Sequence, residues 1–156
     1  YRYVFANRTL IETGAQQAVW LKKIEPDYSG YMGLVFEKVC TDYKCEKNAK
    51  GELPILFTSI GRWWGTNPTT HGQEEIDLVA NDRKNYIFGE CKWRNEKLDI
   101  SVLRELKAKA DIFCKNRNNT YYYLFSKSGF TEAVIDESES DGRIVLVDLN
   151  DIMDFE

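Results

Sequence analysis

Histidine is almost missing from this chain: His71 is the only one in 156 residues. A histidine-rich metal centre is therefore excluded, and a His-based catalytic triad would depend on one residue set among proline, threonine and glycine, where a polar loop residue is the simpler reading. The four cysteines, Cys40, Cys45, Cys91 and Cys114, include no Cys-x-x-Cys pair. Zinc-ligand spacing is absent, and the thiols read as reduced rather than disulfide-bonded. No stretch approaches the ~20 apolar residues of a membrane span, and the N-terminus lacks the basic-then-apolar order of a signal peptide. These absences imply a cytoplasmic protein with no membrane partner.

Apolar residues, by contrast, are plentiful. The chain is 43% hydrophobic and 13% aromatic, enough for one core of domain size. Its net charge of -4 speaks against a protein that coats nucleic acid indiscriminately, but the charge is uneven. Residues 92–117 hold eight Lys or Arg against four Asp or Glu, a balance of +4, whereas residues 132–156 hold nine acids against Arg143 alone, a balance of -8. The basic segment reads equally well as an ordinary solvated helix face. The opening "YRYVFANRTLIE" starts at Tyr1 without a methionine and reads as the interior of a longer protein. Residues 1–28 are expected to form a helical lead-in, and residues 29–156 the domain proper.

Periodicity divides the chain into alternating helices and strands, with no internal repeat and no low-complexity linker. Residues 9–24 read as helical, and a second helix is expected after Ser29 and Gly30, with Met32, Val35, Phe36 and Val39 at helical spacing. "LPILFTSIGRWWG" reads as a strand or hairpin, with Trp63 and Trp64 as core and rim aromatics. Strands are expected at 75–80 and 86–93, a helix carrying Leu103, Leu106, Ala110 and Phe113, and a strand at "TYYYLFS". A short helix near 131–137 and the strand "RIVLVDL" complete the order. The fold class is α/β, a mixed central sheet flanked by helices.

The segment "EEIDLVANDRKNYIFGECKW" carries the chemistry. Its "NDRKN" centre has the turn residues of a hairpin loop. A hairpin centred between Arg83 and Lys84 sets Asp77 opposite Glu90, Glu75 opposite Lys92 and Val79 opposite Phe88. On the other face Ile76 is set opposite Cys91, Leu78 opposite Gly89 and Ala80 opposite Ile87, an apolar set that reads as core. Opposed side chains lie about 4.5 to 5.5 Å apart at Cβ, so Asp77 and Glu90 repel unless a cation sits between them. Mg²⁺ takes hard oxygen ligands, is held by one or two carboxylates and keeps open positions for water and phosphate oxygens. Lys92 points the same way as Glu90, where it can orient or deprotonate water or steady a phosphate. The plain alternative is a solvated hairpin face on which Lys92 pairs with Glu75.

With these residues in view, "EEIDLVA" followed by "YIFGECKW" resembles the PD-(D/E)XK nuclease superfamily, the restriction-endonuclease-like fold. Asp77, Glu90 and Lys92 match its D, E and K, and Glu37 in "GLVFEKVC" matches an acid many members carry on their first helix. Ile76 stands where the motif's name has proline. The string as a whole, including "YVFANRTLIE", "GRWWG" and "YYYLFSKSGFTE", is similar to the uncharacterised C-terminal domain of archaeal-type P-loop ATPases. The resemblance implies a Mg²⁺ (or Mn²⁺) ion held by Asp77, Glu90 and the Cys91 carbonyl, and a nucleic acid substrate, DNA foremost. It also implies an ATPase domain upstream: no G-x-x-x-x-G-K-[ST] occurs here, so ATP would bind only there. Arg94, Arg104 and Lys107 are the candidate nucleic-acid contacts; the last two lie one helical step apart. Two function classes follow: a metal-dependent nuclease, and a noncatalytic nuclease-fold module that binds nucleic acid or protein and regulates the attached ATPase.

Overall fold

The computed structural model describes residues 2–115, 117 and 119–154. Short helices α1 (Arg2–Ala6), α2 (Arg8–Glu12) and α3 (Gln16–Val19) lead through a π-helical turn, Trp20–Ile24, into the long helix α4 (Glu25–Ala49). Strands β1 (Ser59–Thr66), β2 (Gln73–Asp82) and β3 (Asn85–Lys92) follow, then α5 (Ile100–Phe113), β4 (Thr120–Ser126), α6 (Glu132–Ser140), β5 (Ile144–Asp148) and α7 (Leu149–Met153). Contacts divide the chain into two compact units, residues 1–35 and 36–156. The expected division after residue 28 falls inside α4, which starts at Glu25 and runs through Ser29 and Gly30 rather than being capped there. Pro26 explains the wide turn before it. Proline lacks an N–H and its ring crowds the carbonyl four residues back, and a π turn is one way a helix absorbs that defect.

Within residues 1–35, Val19 is buried, the Tyr3 hydroxyl donates to Asp27 at 3.0 Å, and the Tyr3 and Tyr31 rings meet edge to face. Val4, Phe5, Leu10, Trp20 and Leu21 are exposed.

The second unit is built on a five-stranded sheet in the order β1-β2-β3-β4-β5. The first two pairings are antiparallel and the last two parallel. Antiparallel neighbours are joined by short connections, residues 67–72 and the β2–β3 turn, whereas parallel ones need a crossover, here supplied by α5 and α6. The β2–β3 turn has two central residues, Arg83 and Lys84, and Arg83 takes a φ of 53°, the positive value such turns demand. The α/β class and the mixed sheet with helices on both sides are as expected.

Each face of the sheet carries its own core. On one, Ile76, Val79, Phe88, Tyr122 and Leu124 meet Val102, Leu103, Leu106 and Ala110 of α5 and Val134 of α6. Phe88 is fully buried among Tyr86, Phe113 and Tyr122, with ring centroids 5.6 to 6.2 Å away. On the other face Leu78, Ala80, Ile87, Cys91 and Phe125 meet Phe36 and Cys40 of α4 and Phe57, with Leu149 and Ile152 of α7 packed alongside. Gly89 allows the close approach this requires: a Cβ there would lie 3.1 Å from Leu78 Cβ and 3.4 Å from Phe125. Trp63 packs on Phe113 while Trp64 is two-thirds exposed.

One expectation about this sheet is corrected. Ile76 lies with Val79 and Phe88, not with Cys91 and Leu78. The cause is a bulge: β1 pairs Gly61 with Val79 but Trp63 with Ile76, so Asp77 and Leu78 together face Arg62 alone. An extra residue flips the alternation of everything before it.

Candidate active site

The bulge is what shapes the site. Beyond it, the β2–β3 ladder, regular from Asp82–Asn85 to Leu78–Gly89, gives way to a side chain: the Asp77 carboxylate reaches across and accepts the Cys91 N–H at 2.8 Å. In a strand the N–H and C=O of one residue point to the same edge, so the Cys91 carbonyl is directed to the Asp77 side of β3 as well. Glu90 is next to it and almost fully buried, 5% exposed. Alternation along β3 sets Glu90 and Lys92 on the Phe88 side, toward α5, and Cys91 on the other, against Cys40. The hydrogen bond to Cys40 and burial push the Cys91 thiol well up, so it stays a thiol and offers no thiolate ligand.

Glu90 is held by two cations. Lys92 donates to Oε1 at 2.6 Å and Lys109 of α5 to Oε2 at 3.4 Å. Helix α5 delivers Lys109 because its N-cap and its apolar stripe fix its roll. Asp99 accepts the Ser101 N–H at 2.7 Å, and Val102, Leu103, Leu106 and Ala110 turn inward. Lys109 was not among the candidates read from the sequence; its place beside the buried Ala110, three residues after Leu106, is the signal that would have found it. For Lys92, burial disfavours the ammonium, but the charge and hydrogen bond of Glu90 and the charge of Asp77 outweigh it and raise its pKa.

Asp77 differs from Glu90: among the described residues no ion pair reaches it. Burial and the Glu90 charge raise its pKa, against the Cys91 N–H and the two lysines. A half-buried carboxylate without an ion-pair partner, beside a second carboxylate and a strand carbonyl, offers hard oxygens short of positive charge. That donor set fits Mg²⁺ or Mn²⁺, which bind through one or two carboxylates and keep waters elsewhere. It is a set of two acids: among the described residues no three His, Cys, Asp or Glu side chains group as a metal cluster.

The other candidates lie apart. Glu37 forms an ion pair with Arg62, which also takes Glu75 at 3.0 Å; among the described residues no hydrogen bond or ion pair joins Glu37 to Asp77 or Glu90. Glu75 is therefore engaged by Arg62, and Lys92 by Glu90. Lys107 turns to Glu137 of α6 at 3.5 Å, away from Glu90. Arg94 and Arg104 both act on Asp99, whose carboxyl is held low first by Ser101 and then by those two charges. The Arg94 Nε is buried with no hydrogen-bond partner. Lys127, just past the end of the adjacent strand β4, comes near the same segment: its N–H bonds the Lys92 carbonyl, and its ammonium lies on Asn95 and 4.9 Å over Trp93.

Residues 1–110 match the DUF234 family, described as "Archaea bacterial proteins of unknown function", and the chain belongs to that family. It is 36% identical over 156 residues to an uncharacterized protein, MJECL04, of Methanocaldococcus jannaschii. The match covers 97% of this chain and 32% of that protein, so the chain spans about a third of the relative's length. Among solved structures, a protein of unknown function, AF1548, is similar at a TM-score of 0.50 and 13% identity, over 76% of this chain and 65% of that one. That likeness concerns the fold alone. No helix among the described residues is long and apolar enough to cross a membrane.

Proposed function

We propose that this chain is a Mg²⁺- or Mn²⁺-dependent phosphodiesterase domain of the restriction-endonuclease-like, PD-(D/E)XK class, acting on nucleic acid, DNA foremost. It is one part of a longer cytoplasmic protein whose other domains include a P-loop ATPase, where ATP binds. The observation that carries this reading is the meeting of Asp77 and Glu90 at the end of the β2–β3 ladder, with Lys92 on the Glu90 carboxylate.

When bound, the divalent cation supplies an activated water and offsets charge on the phosphate. Asp77, Glu90 and the Cys91 carbonyl are the groups that would hold it. Asp77 is oriented for this by the Cys91 N–H, which fixes one carboxylate oxygen and leaves the other to bind. Lys92, only a third exposed on its side chain, stands where it can orient the attacking water or donate to the phosphate. Arg94 and Arg104 hold the neighbouring backbone phosphates, whose negative charge complements their positive charge. Lys107 is engaged by Glu137 and is the weaker contact. Glu37 acts by aligning β1 through its ion pair with Arg62.

A noncatalytic module regulating the ATPase is the second reading, favoured by the net charge of -4, which makes a poor general surface for nucleic acid. Titrating Mn²⁺ into wild type, Asp77→Asn, Glu90→Gln and Lys92→Ala, with cleavage of single- and double-stranded DNA and RNA alongside, separates the two. The nuclease reading expects the two acid variants to lose metal and cleavage, and Lys92→Ala to keep metal while losing turnover. Wild type that neither binds Mn²⁺ nor cuts, even in the full-length protein, leaves the regulatory module as the better account.

A further inference from the structure

Glu90 carries a separate lysine on each oxygen, and the two are not equivalent. Lys92 sits on Oε1 at 2.6 Å and Lys109 on Oε2 at 3.4 Å. With Asp77 the four charges sum to zero. A divalent cation would bring the cluster to +2, and an anion must then offset it. The longer, weaker contact is the one given up at less cost.

Lys109 also differs in where it leads. It lines a cavity of about 180 Å³ together with Asn67, Glu74, Glu105, Ala108 and Ile112. Asn67, Ala108 and Ile112 also line a second groove, of about 570 Å³, between the turn at Pro68–Thr70 and the last turn of α5. Lys109 thus stands between the buried Glu90 and a cavity open to solvent. Glu74 and Glu105 border the same cavity and repel a polyanion while the cluster is neutral.

From this geometry we infer that Lys109 is the phosphate-contacting residue of the site: with a divalent cation on Glu90, its ammonium donates to a non-bridging oxygen of a nucleic-acid phosphate lying in this cavity. The inference rests on the phosphodiesterase reading and adds to it a residue, an entry path and a dependence. Nucleic acid engages Lys109 only when the cation is present, because only then does the cluster outweigh Glu74 and Glu105.

The test uses the full-length protein, as wild type, Lys109→Met and Lys109→Arg, with fluorescently labelled single- and double-stranded DNA and RNA oligonucleotides. Binding is followed by polarisation across a salt series, in Ca²⁺ and in EDTA, and Mn²⁺ binding by electron paramagnetic resonance. In Ca²⁺ the log–log salt slope of Lys109→Met should be shallower than wild type by about 0.9 for a duplex or about 0.7 for a single strand, the loss of one phosphate contact. Lys109→Arg should restore it, which also guards against a folding defect, and in EDTA the difference should vanish. Without nucleic acid, Lys109→Met should bind Mn²⁺ more tightly, since a competing ammonium is gone. Tighter Mn²⁺ with an unchanged salt slope would mean that Lys109 only neutralises Glu90, and would overturn the inference while leaving the nuclease reading intact. Wild type that binds no Mn²⁺ and cuts nothing removes both.

Discussion

Replacing Lys44 with methionine should make this protein more stable, and by an amount that depends on pH. Lys44 continues the buried stripe Phe36–Cys40–Lys44 on α4, is 0% exposed, and has no hydrogen-bond partner for its ammonium nitrogen. Its compensation is the face of Tyr123, 3.2 Å from nitrogen to ring centroid. Burial pushes its pKa from 10.5 down to about 7. Between those values the unfolded chain holds a proton that the folded chain releases, so stability rises with pH across that window and falls as pH drops. At ~1.36 kcal/mol per pH unit, the penalty is ~5 kcal/mol once the pH is below about 7, and none remains above about 10.5. A desolvated cation–π contact returns ~2 kcal/mol of this. Lys44→Met should therefore gain about 3 to 5 kcal/mol near pH 6 and no more than ~1 to 2 kcal/mol near pH 10, where only the amine's unmet hydrogen bond is removed. Urea unfolding of both proteins, followed by tryptophan fluorescence at about pH 6, 8 and 10, reads this directly. Taking the difference cancels titrating groups away from Lys44, and Tyr123, whose own pKa burial raises to about 12, stays protonated in the folded protein up to about pH 10. A difference that stays constant with pH, or a variant less stable near pH 6, refutes the reasoning.

The carboxylates should respond in opposite directions. Asp77→Asn keeps an acceptor for the Cys91 N–H and removes a charge that burial and Glu90 disfavour. Because the folded pKa lies above the unfolded one, its cost is present at neutral pH, fades as pH falls below the raised folded value, and is gone below the ordinary value near ~4. The variant's melting temperature should thus exceed wild type at neutral pH and converge with it in acid; a lower value at neutral pH contradicts this. Glu90→Gln should destabilise by about 1 to 3 kcal/mol, since it leaves Lys92 and Lys109 without the charge they share, a cost reduced by their partial exposure; denaturant melts showing no loss would mean the lysines find other partners. Gly89→Val should cost about 1 to 3 kcal/mol by overpacking against Leu78 and Phe125, and unfolding curves matching wild type would show that the sheet yields there freely.

The hairpin was legible because two independent signals agreed: turn residues at Asn81–Asn85 and a parity that set both a carboxylate pair and an apolar set in register. The observed pairs, Leu78 with Gly89 and Ala80 with Ile87, are those expected. The bulge was not legible, since an extra residue leaves no mark in composition, and Ile76 was consequently assigned to the wrong face. The basic helix shows a similar limit. Arg104 and Lys107 stand out by spacing, but the roll of α5 is decided by what Val102, Leu103, Leu106 and Ala110 bury, and that roll turns Lys107 to α6 and Lys109 to Glu90. Glu37 was singled out by resemblance alone, and its ion pair with Arg62 depends on a packing of α4 against β1 that no local pattern encodes. Helix α7 escaped notice because its five residues follow the last strand directly, with Asp148 and Asp151 forming a reciprocal cap too short to show a period.

The bulge at Asp77 also sets how this strand can change. Up to Ile76, β2 follows one phase of in-and-out alternation, and from Leu78 onward it follows the other, so the strand behaves as two short strands spliced at the acid. Each half can accept substitutions by its own parity without disturbing its neighbour. A one-residue deletion between them would restore continuous alternation and leave both buried sets in their layers, whereas straightening the strand with the extra residue kept would turn one set toward the wrong layer. The acid and its splice are therefore inseparable: a lineage or an engineer that moves one must carry the other, and transplanting Asp77 into an unbroken strand would deliver the carboxylate without its reach to Cys91.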